Sequence, residues 1–313
     1  MRYLHNSVDS QVFVTAAKAA GHIYVTNQLD NTLSVINAGT NQVTATVPTG
    51  VGPEGVAVTP DGSRVYIADS GSAEVSVLDT SNNKIVTTVP VGQCPTGVAL
   101  SPDGQFLYVA NGTSNNVSVI ATRTNRVTAT IPVGIQPVDV AVSHDGTTLY
   151  VANEGSASVS VVNTSTHGVV RDLPAGKYPV AVSVTPDGRS LYVANEANAT
   201  VTVISTATGK IAATIPTGDG PFDVTVAPTG QRAYVAVLGP GNVLAIDTQT
   251  NHISGTVNVG PPGTDPFDIA LTPTAVYVVS QAAGTVSVMD PSSLKITATI
   301  TVGDSPYGVA VGP

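Results

Sequence analysis

The 313-residue chain has no tryptophan, one cysteine, two methionines and four phenylalanines, and only 11% of its residues are charged. Each shortage excludes something. A lone thiol, Cys94, cannot close a disulfide within the chain, so no internal covalent staple holds the fold. Apolar runs stay far below the ~20 residues that a membrane-spanning helix needs, so no membrane span is expected. The opening MRYLHNSVDS has no apolar core of the kind a secretory signal carries. The expectation is a cytoplasmic protein on the sequence as written, or an exported one if a leader precedes it. Lys and Arg total 12 against 21 Asp and Glu, which disfavours nucleic acid as a partner, because phosphate binding needs clustered cations. Low charge does not mean disorder: 42% of the residues are hydrophobic.

What the chain does contain is Val, Thr, Ala and Gly, a composition suited to half-buried strands, arranged in a period. Tyr24, Tyr66, Tyr108, Tyr150, Tyr192, Tyr234 and Tyr277 follow one another at 42 residues, with one gap of 43. The prolines of a G-x-x-P loop, Pro53, Pro95, Pro137, Pro179, Pro221, Pro266 and Pro306, give the same count of seven. Within one period, GVALSPDGQFLYVANGTSNNVSVIATRTNRVTATIPVG holds four short alternating runs separated by turn residues. In the SPDG link, proline presets the φ that opens a tight turn and glycine supplies the positive φ that ends it. Four antiparallel strands, A to D, repeated seven times predict an all-β radial array of blades. The first copy opens on strand B at HIYVTN and the last ends on strand A at SPYGVAV. The C-terminal strand A is therefore expected to join the N-terminal strands B to D and close the ring. Residues 21–313 form the expected single domain. Residues 1–20 are an N-terminal extension, in which QVFVT competes for the strand A slot.

YVTN at 24–27, YVAN at 108–111, 150–153 and 192–195, and TPDG or SPDG at the hairpins carry a resemblance. Over residues 21–313 the chain resembles the YVTN-repeat seven-bladed β-propellers. The resemblance implies the fold and leaves the activity open, since such propellers include surface-layer modules, a protein binding single-stranded DNA, lactonases and a streptogramin-opening lyase. The lactonase and lyase precedents rely on histidine at the mouth of the ring. Here His5 and His22 lie near the N-terminus and His144, His167 and His252 fall in the A-to-B or C-to-D turns, so those mechanisms do not transfer.

A four-stranded blade sorts its connections by face. The D-to-A and B-to-C loops share the top, and the A-to-B and C-to-D turns share the bottom. The top carries Asp30, Glu54, Asp69, Glu74, Asp139, Glu154, Glu196, Asp219, Asp223, Asp265, Asp268 and Asp304 against Lys177 alone, while the bottom is close to neutral. An acidic concave mouth attracts cations. Aromatics outside the repeat template gather in four consecutive D-to-A loops, as Tyr178, Phe222, Phe267 and Tyr307. The repeat breaks on the same side: the Asn that ends strand B becomes Val237 and Ser280, and the loop GPPGTDPFD is longer than its counterparts.

These observations make Glu54, Asp139, Tyr178, Phe222, Asp223, Phe267, Asp268 and Tyr307 the candidate ligand-binding residues. The expected occupant is a small cationic, amine-bearing ligand or a basic protein segment, held by ion pairing and cation–π attraction. The alternative is an enzyme using the same pocket, a carboxylate-driven or metal-assisted lyase, isomerase or hydrolase with Glu54 or Asp223 as acid or base. A passive scaffold or cell-envelope module is the third reading. No cofactor is expected and no metal ligand is assigned; Ca²⁺ or Mg²⁺ on Glu54, Asp139, Asp223 and Asp268 is the alternative, since these hard cations take several oxygens. Cys94 lies in a top loop without a histidine to activate it.

Overall fold

The computed structural model describes residues 21–313; the extension at 1–20, with its QVFVT segment, lies outside the described residues. Twenty-eight strands, β1 to β28, form seven antiparallel sheets of four, and one 3-10 turn at Glu196–Asn198 is the only helical element among the described residues. Blade 1 consists of β1 (His22–Asn27), β2 (Thr32–Asn37), β3 (Gln42–Pro48) and, innermost, β28 (Pro306–Val311). Blade 2 follows as β4 (Pro53–Val58), β5 (Arg64–Asp69), β6 (Glu74–Asp79) and β7 (Lys84–Pro90). The inner strands of blades 3 to 7 are β8 (Pro95–Leu100), β12 (Pro137–Val142), β16 (Pro179–Val184), β20 (Pro221–Val226) and β24 (Pro266–Leu271). Each inner strand touches the inner strands of both neighbours, and β28 touches β4, so the ring is closed around a central channel. The slot beside β1 belongs to β28, with Val25 opposite Val309. The expected closure is thus the observed one.

The hydrophobic core sits between blades. Tyr108, Val117, Val119 and Ile131 of blade 3 pack on Val140, Leu149, Val151 and Val162 of blade 4, and six further clusters repeat this pattern. Burial of each such aliphatic side chain contributes about 1.5–3 kcal/mol. The periodic tyrosines belong to these seams. Tyr66 and Tyr192 are buried, and their hydroxyls donate to Asn125 Oδ1 at 2.9 Å and Asn251 Oδ1 at 2.7 Å, each in the C-to-D turn of the next blade.

The asparagine that ends the YVTN and YVAN runs has an equally local reason. Asn27 is fully buried and its Nδ2 donates to Thr32 Oγ1 and Ser34 Oγ, both at 2.9 Å, while its Oδ1 accepts the Gly303 amide at 3.1 Å. One side chain thereby ties strand B to strand C and to the preceding D-to-A loop. Asn195 repeats the arrangement with Thr202 Oγ1 and the Gly176 amide. A β-carbon on Gly176 would stand 2.6 Å from Asn195 Cγ, which accounts for the glycine.

Candidate functional site at the channel mouth

Every inner strand begins with a register shift just after its proline. Such a bulge bends the strand and re-aims side chains. It stacks two rings of residues at the top of the channel. The first residue after each proline, in blade order from 1, is Tyr307, Glu54, Thr96, Val138, Val180, Phe222 and Phe267; the second is Gly308, Gly55, Gly97, Asp139, Ala181, Asp223 and Asp268.

The upper ring brings three aromatics together. Phe222 and Phe267 have centroids 3.8 Å apart, Phe267 and Tyr307 meet edge-on at 4.7 Å, and Phe222 and Tyr307 stand 6.4 Å apart. These three side chains and Asp139, Asp223 and Asp268 line one cavity of about 240 Å³. Tyr178 does not join them. It precedes its proline instead of following it, has φ +53° and is 53% exposed on the top rim. Glu54 is not among the residues that line this cavity; it is 8% exposed and precedes Gly55, which does line it. Gln28 Nε2 donates to Glu54 Oε1 at 3.0 Å, and the hydroxyls of Ser70 and Tyr307 lie against the same carboxylate.

Each channel aspartate also performs a structural task that sequence reading missed. Asp139 Oδ2 accepts the Val182 amide at 2.9 Å, Asp223 Oδ2 accepts Ile269 at 3.1 Å, and Asp268 Oδ2 accepts Val309 at 2.7 Å. In all three the donor is the third residue after the proline of the next blade, an amide released by the bulge. The carboxylates therefore staple blade 4 to 5, 6 to 7 and 7 to 1. Between blades 5 and 6 the acceptor is Ser183 Oγ, 3.0 Å from the Val226 amide.

Confinement shifts these acids strongly. Burial raises Asp139 to about 7 against the pull of the Val182 and Val140 amides, and raises Asp268 to about 6. Asp223 is pushed well above the carboxylate range by burial and then by Asp268 and Asp139. Burial raises Glu54 as well, and it raises the Tyr307 phenol, beside Glu54, Asp268 and Asp139. The Cys94 thiol is raised by burial and by Glu54, which works against a thiolate. On the bottom face the same residue type moves the other way: Asp61 and Asp103 are held low by the hydroxyls of Thr59 and Ser101 and by turn amides. Among the described residues, no group of three or more His, Cys, Asp or Glu side chains is arranged to hold a metal ion. None of the described helices is long and apolar enough to cross a membrane.

Known proteins share this architecture. A family model described as a seven-bladed β-propeller lactonase matches residues 10–131, and one described as a YNCE-like β-propeller matches residues 135–239. A 45-residue stretch is 56% identical to the PE-PGRS family protein PE_PGRS18 of Mycobacterium tuberculosis, covering 14% of this chain and 10% of that protein. The chain thus spans about a tenth of the length of that relative. Among solved structures, a functionally unknown protein of Desulfotomaculum acetoxidans superposes with a TM-score of 0.81 at 17% identity, over 94% of this chain and 99% of the other. Hydrazine synthase of Kuenenia stuttgartiensis gives 0.75 at 23% identity, over 82% and 88%. The dihydro-heme d1 dehydrogenase NirN, in complex with DHE, gives 0.67 at 18%, over 94% and 76%. At these identities the likeness speaks for the fold. The chain is a seven-bladed β-propeller, similar in its first half to propeller lactonases and in the following part to YNCE-like propellers.

Proposed function

We propose that the channel mouth binds a small ligand bearing an amine or quaternary nitrogen, or the basic side chain of a partner segment. One observation carries this reading: three contacting aromatic rings from blades 6, 7 and 1 line the same 240 Å³ cavity as three carboxyls from blades 4, 6 and 7. A cation there gains the electron-rich ring faces and the carboxylate charge together. The cavity volume restricts the ligand to a few heavy atoms, or to one end of a longer molecule. Because burial keeps these acids partly protonated near neutrality, an arriving cation displaces protons, and affinity rises with pH.

Calorimetric titration with tetramethylammonium, choline and spermidine at pH 6 and pH 8 tests the reading. The expected result is tighter binding at pH 8, weakened at least tenfold by the double change Phe222→Ala with Phe267→Ala. Absence of binding by all three amines at both pH values would overturn it.

A second reading, hydrolysis or elimination on a small molecule, is favoured by the shielded Glu54 beside the Tyr307 hydroxyl and by the lactonase family model, whose match spans Glu54. Glu54 would act as the proton acceptor, next to the cavity-lining Tyr307. Screening of lactones and small esters checks it. Turnover abolished by Glu54→Gln at unchanged melting temperature supports the assignment; turnover that survives the change removes Glu54 as the base.

A further inference from the structure

Blade 2 departs from its siblings at the end of strand B. Where blades 1, 3, 4 and 5 place Asn27, Asn111, Asn153 and Asn195, blade 2 places Asp69, with no exposed surface. The opposing strand C residue changes too: Asn27, Asn111, Asn153 and Asn195 face Thr32, Asn116, Ser158 and Thr200, whereas Asp69 faces Glu74. An amide donating to hydroxyl and amide oxygens is thus replaced by two carboxyls in direct cross-strand register. Ser76 Oγ turns to donate to Asp69 Oδ2 at 2.6 Å, where Ser34 Oγ accepts from Asn27. Asp69 Oδ1, like Asn111 Oδ1 and Asn153 Oδ1, is buried without a side-chain partner, and the Gly50 amide is the loop donor that faces the Asp69 carboxyl. No cation answers it: the ion pairs among the described residues are Arg64–Asp79 and Arg189–Asp187, both on the bottom face. The titratable groups around Asp69 are Glu74, across the register on β6, and Glu54, at the start of β4 beyond Ser70.

We propose that Asp69 is a proton-operated latch: as a neutral carboxylic acid it completes the strand-and-loop staple that asparagine makes elsewhere, and on ionisation it loosens the loop that leads into Glu54. The acid form restores the missing chemistry, because its O–H is a donor that a carboxylate lacks. An ionised Asp69 would hold a buried, unpaired charge facing a second carboxylate, which is costly in the closed state and relieved when the loop opens to water. Burial, reinforced by Glu74, raises Asp69 to about 6, so the change falls within the physiological range. The connection to the mouth is short. The Ser70 amide and hydroxyl both donate to Gly52 O at 2.9 Å, the Gly71 amide donates to Val51 O at 2.9 Å, and Gly50 lies so close that a β-carbon would stand 2.7 Å from Asp69 Cγ. The inference does not depend on what the mouth binds.

Native-state amide exchange on the full chain between pH 5 and 8, corrected for intrinsic rates, tests it. For an acid whose folded pKa lies above its open-state value, opening becomes easier as pH rises toward and through the folded pKa. A displacement of about two units allows a change of at most ~100-fold. The expected result over this pH range is roughly a tenfold loss of protection at Gly50, Gly52 and Ser70, with none at Gly176 and Gly303, which rest on Asn195 and Asn27. Asp69→Asn should make the blade 2 loop independent of pH, and Glu74→Gln should reduce the amplitude without abolishing it. Equal pH dependence at all these loops, no dependence in the wild-type chain, or dependence that persists in Asp69→Asn would each overturn the proposal.

Discussion

The two sides of the ring are joined by different chemistry. In blades 1 to 3 the second residue after the proline is glycine, and across the seams from blade 1 to blade 4 the inner backbones lie on one another: a β-carbon on Gly308, Gly55 or Gly97 would stand 2.4 Å from Glu54 O, 2.3 Å from Thr96 O or 2.6 Å from Asp139 Cα. Threonine hydroxyls finish these seams, Thr26 Oγ1 donating to Glu54 O at 2.6 Å and Thr96 Oγ1 to Val138 O at 2.7 Å. From blade 4 round to blade 1, side chains span three of the four seams as carboxylates, at Asp139, Asp223 and Asp268. Backbone-on-backbone packing leaves no room for chemistry, whereas a side-chain staple places a carboxyl in the channel as a consequence of holding the blades. The carboxyls and the aromatic rings therefore share one arc, and the arc has a structural cause before it has a functional one.

The comparison predicts unequal responses. The largest effect is expected at a glycine seam: Gly55→Ala forces a carbon against a carbonyl oxygen of the next blade and should cost about 3 kcal/mol or prevent folding, read by chemical denaturation. If Gly55→Ala is tolerated as well as an alanine at an exposed turn, the glycine seam is not close-packed. At a carboxylate seam, Asp139→Ala leaves the Val182 amide without its acceptor and should cost about 1–3 kcal/mol near pH 4. Asp139→Asn keeps an acceptor and should be nearly neutral there.

The sign reverses with pH. Because the folded pKa of Asp139 is raised to about 7, its contribution is fully present below the unfolded value near 3.8 and is lost as pH rises through about 7. Asp139→Asn should then be more stable than the parent at pH 8, by about 2 kcal/mol after allowance for solvent in the channel. Parallel pH–stability curves for the two proteins would show that Asp139 ionises freely in the folded state. The smallest effect belongs to the rim: Tyr178→Gly relieves a left-handed backbone and should gain roughly 0.5–1 kcal/mol in thermal unfolding, with amine binding unchanged.

The architecture was legible because a propeller repeats its packing, and repeated packing imposes repeated residues. Tyr66 and Tyr192 had to recur to bridge adjacent blades, and Asn27 and Asn195 to tie a strand end to a loop. Closure followed from a chain that opens on strand B and ends on strand A. The candidate site was legible only as a set of residues near one opening. Spacing placed Tyr178 beside Phe222, Phe267 and Tyr307, but the side of the proline on which a residue falls decides its direction. The position before the proline takes a positive φ in all seven D-to-A loops, at Gly52, Cys94, Gln136, Tyr178, Gly220, Asp265 and Ser305, and Tyr178 is exposed there. The glycines in that row were the available signal. The stapling role of Asp139, Asp223 and Asp268 was hidden because it depends on the bulge, a register shift that leaves no mark in hydrophobic alternation. The irregular Val237 and Ser280 have a plainer account: both are fully buried, and Ser280 Oγ lacks a partner, so blades 6 and 7 simply do without the amide staple.

The pairing of β28 with β1 joins strands 282 positions apart in sequence, as in the bond from the Gly308 amide to Thr26 Oγ1. During synthesis on a ribosome, the first blade must wait with only β1, β2 and β3 of its four strands until β28 has emerged. The mouth, which takes Tyr307 from β28, is consequently completed only after the other six blades have been made. A chain without β28 would possess six complete blades and no finished aromatic cluster.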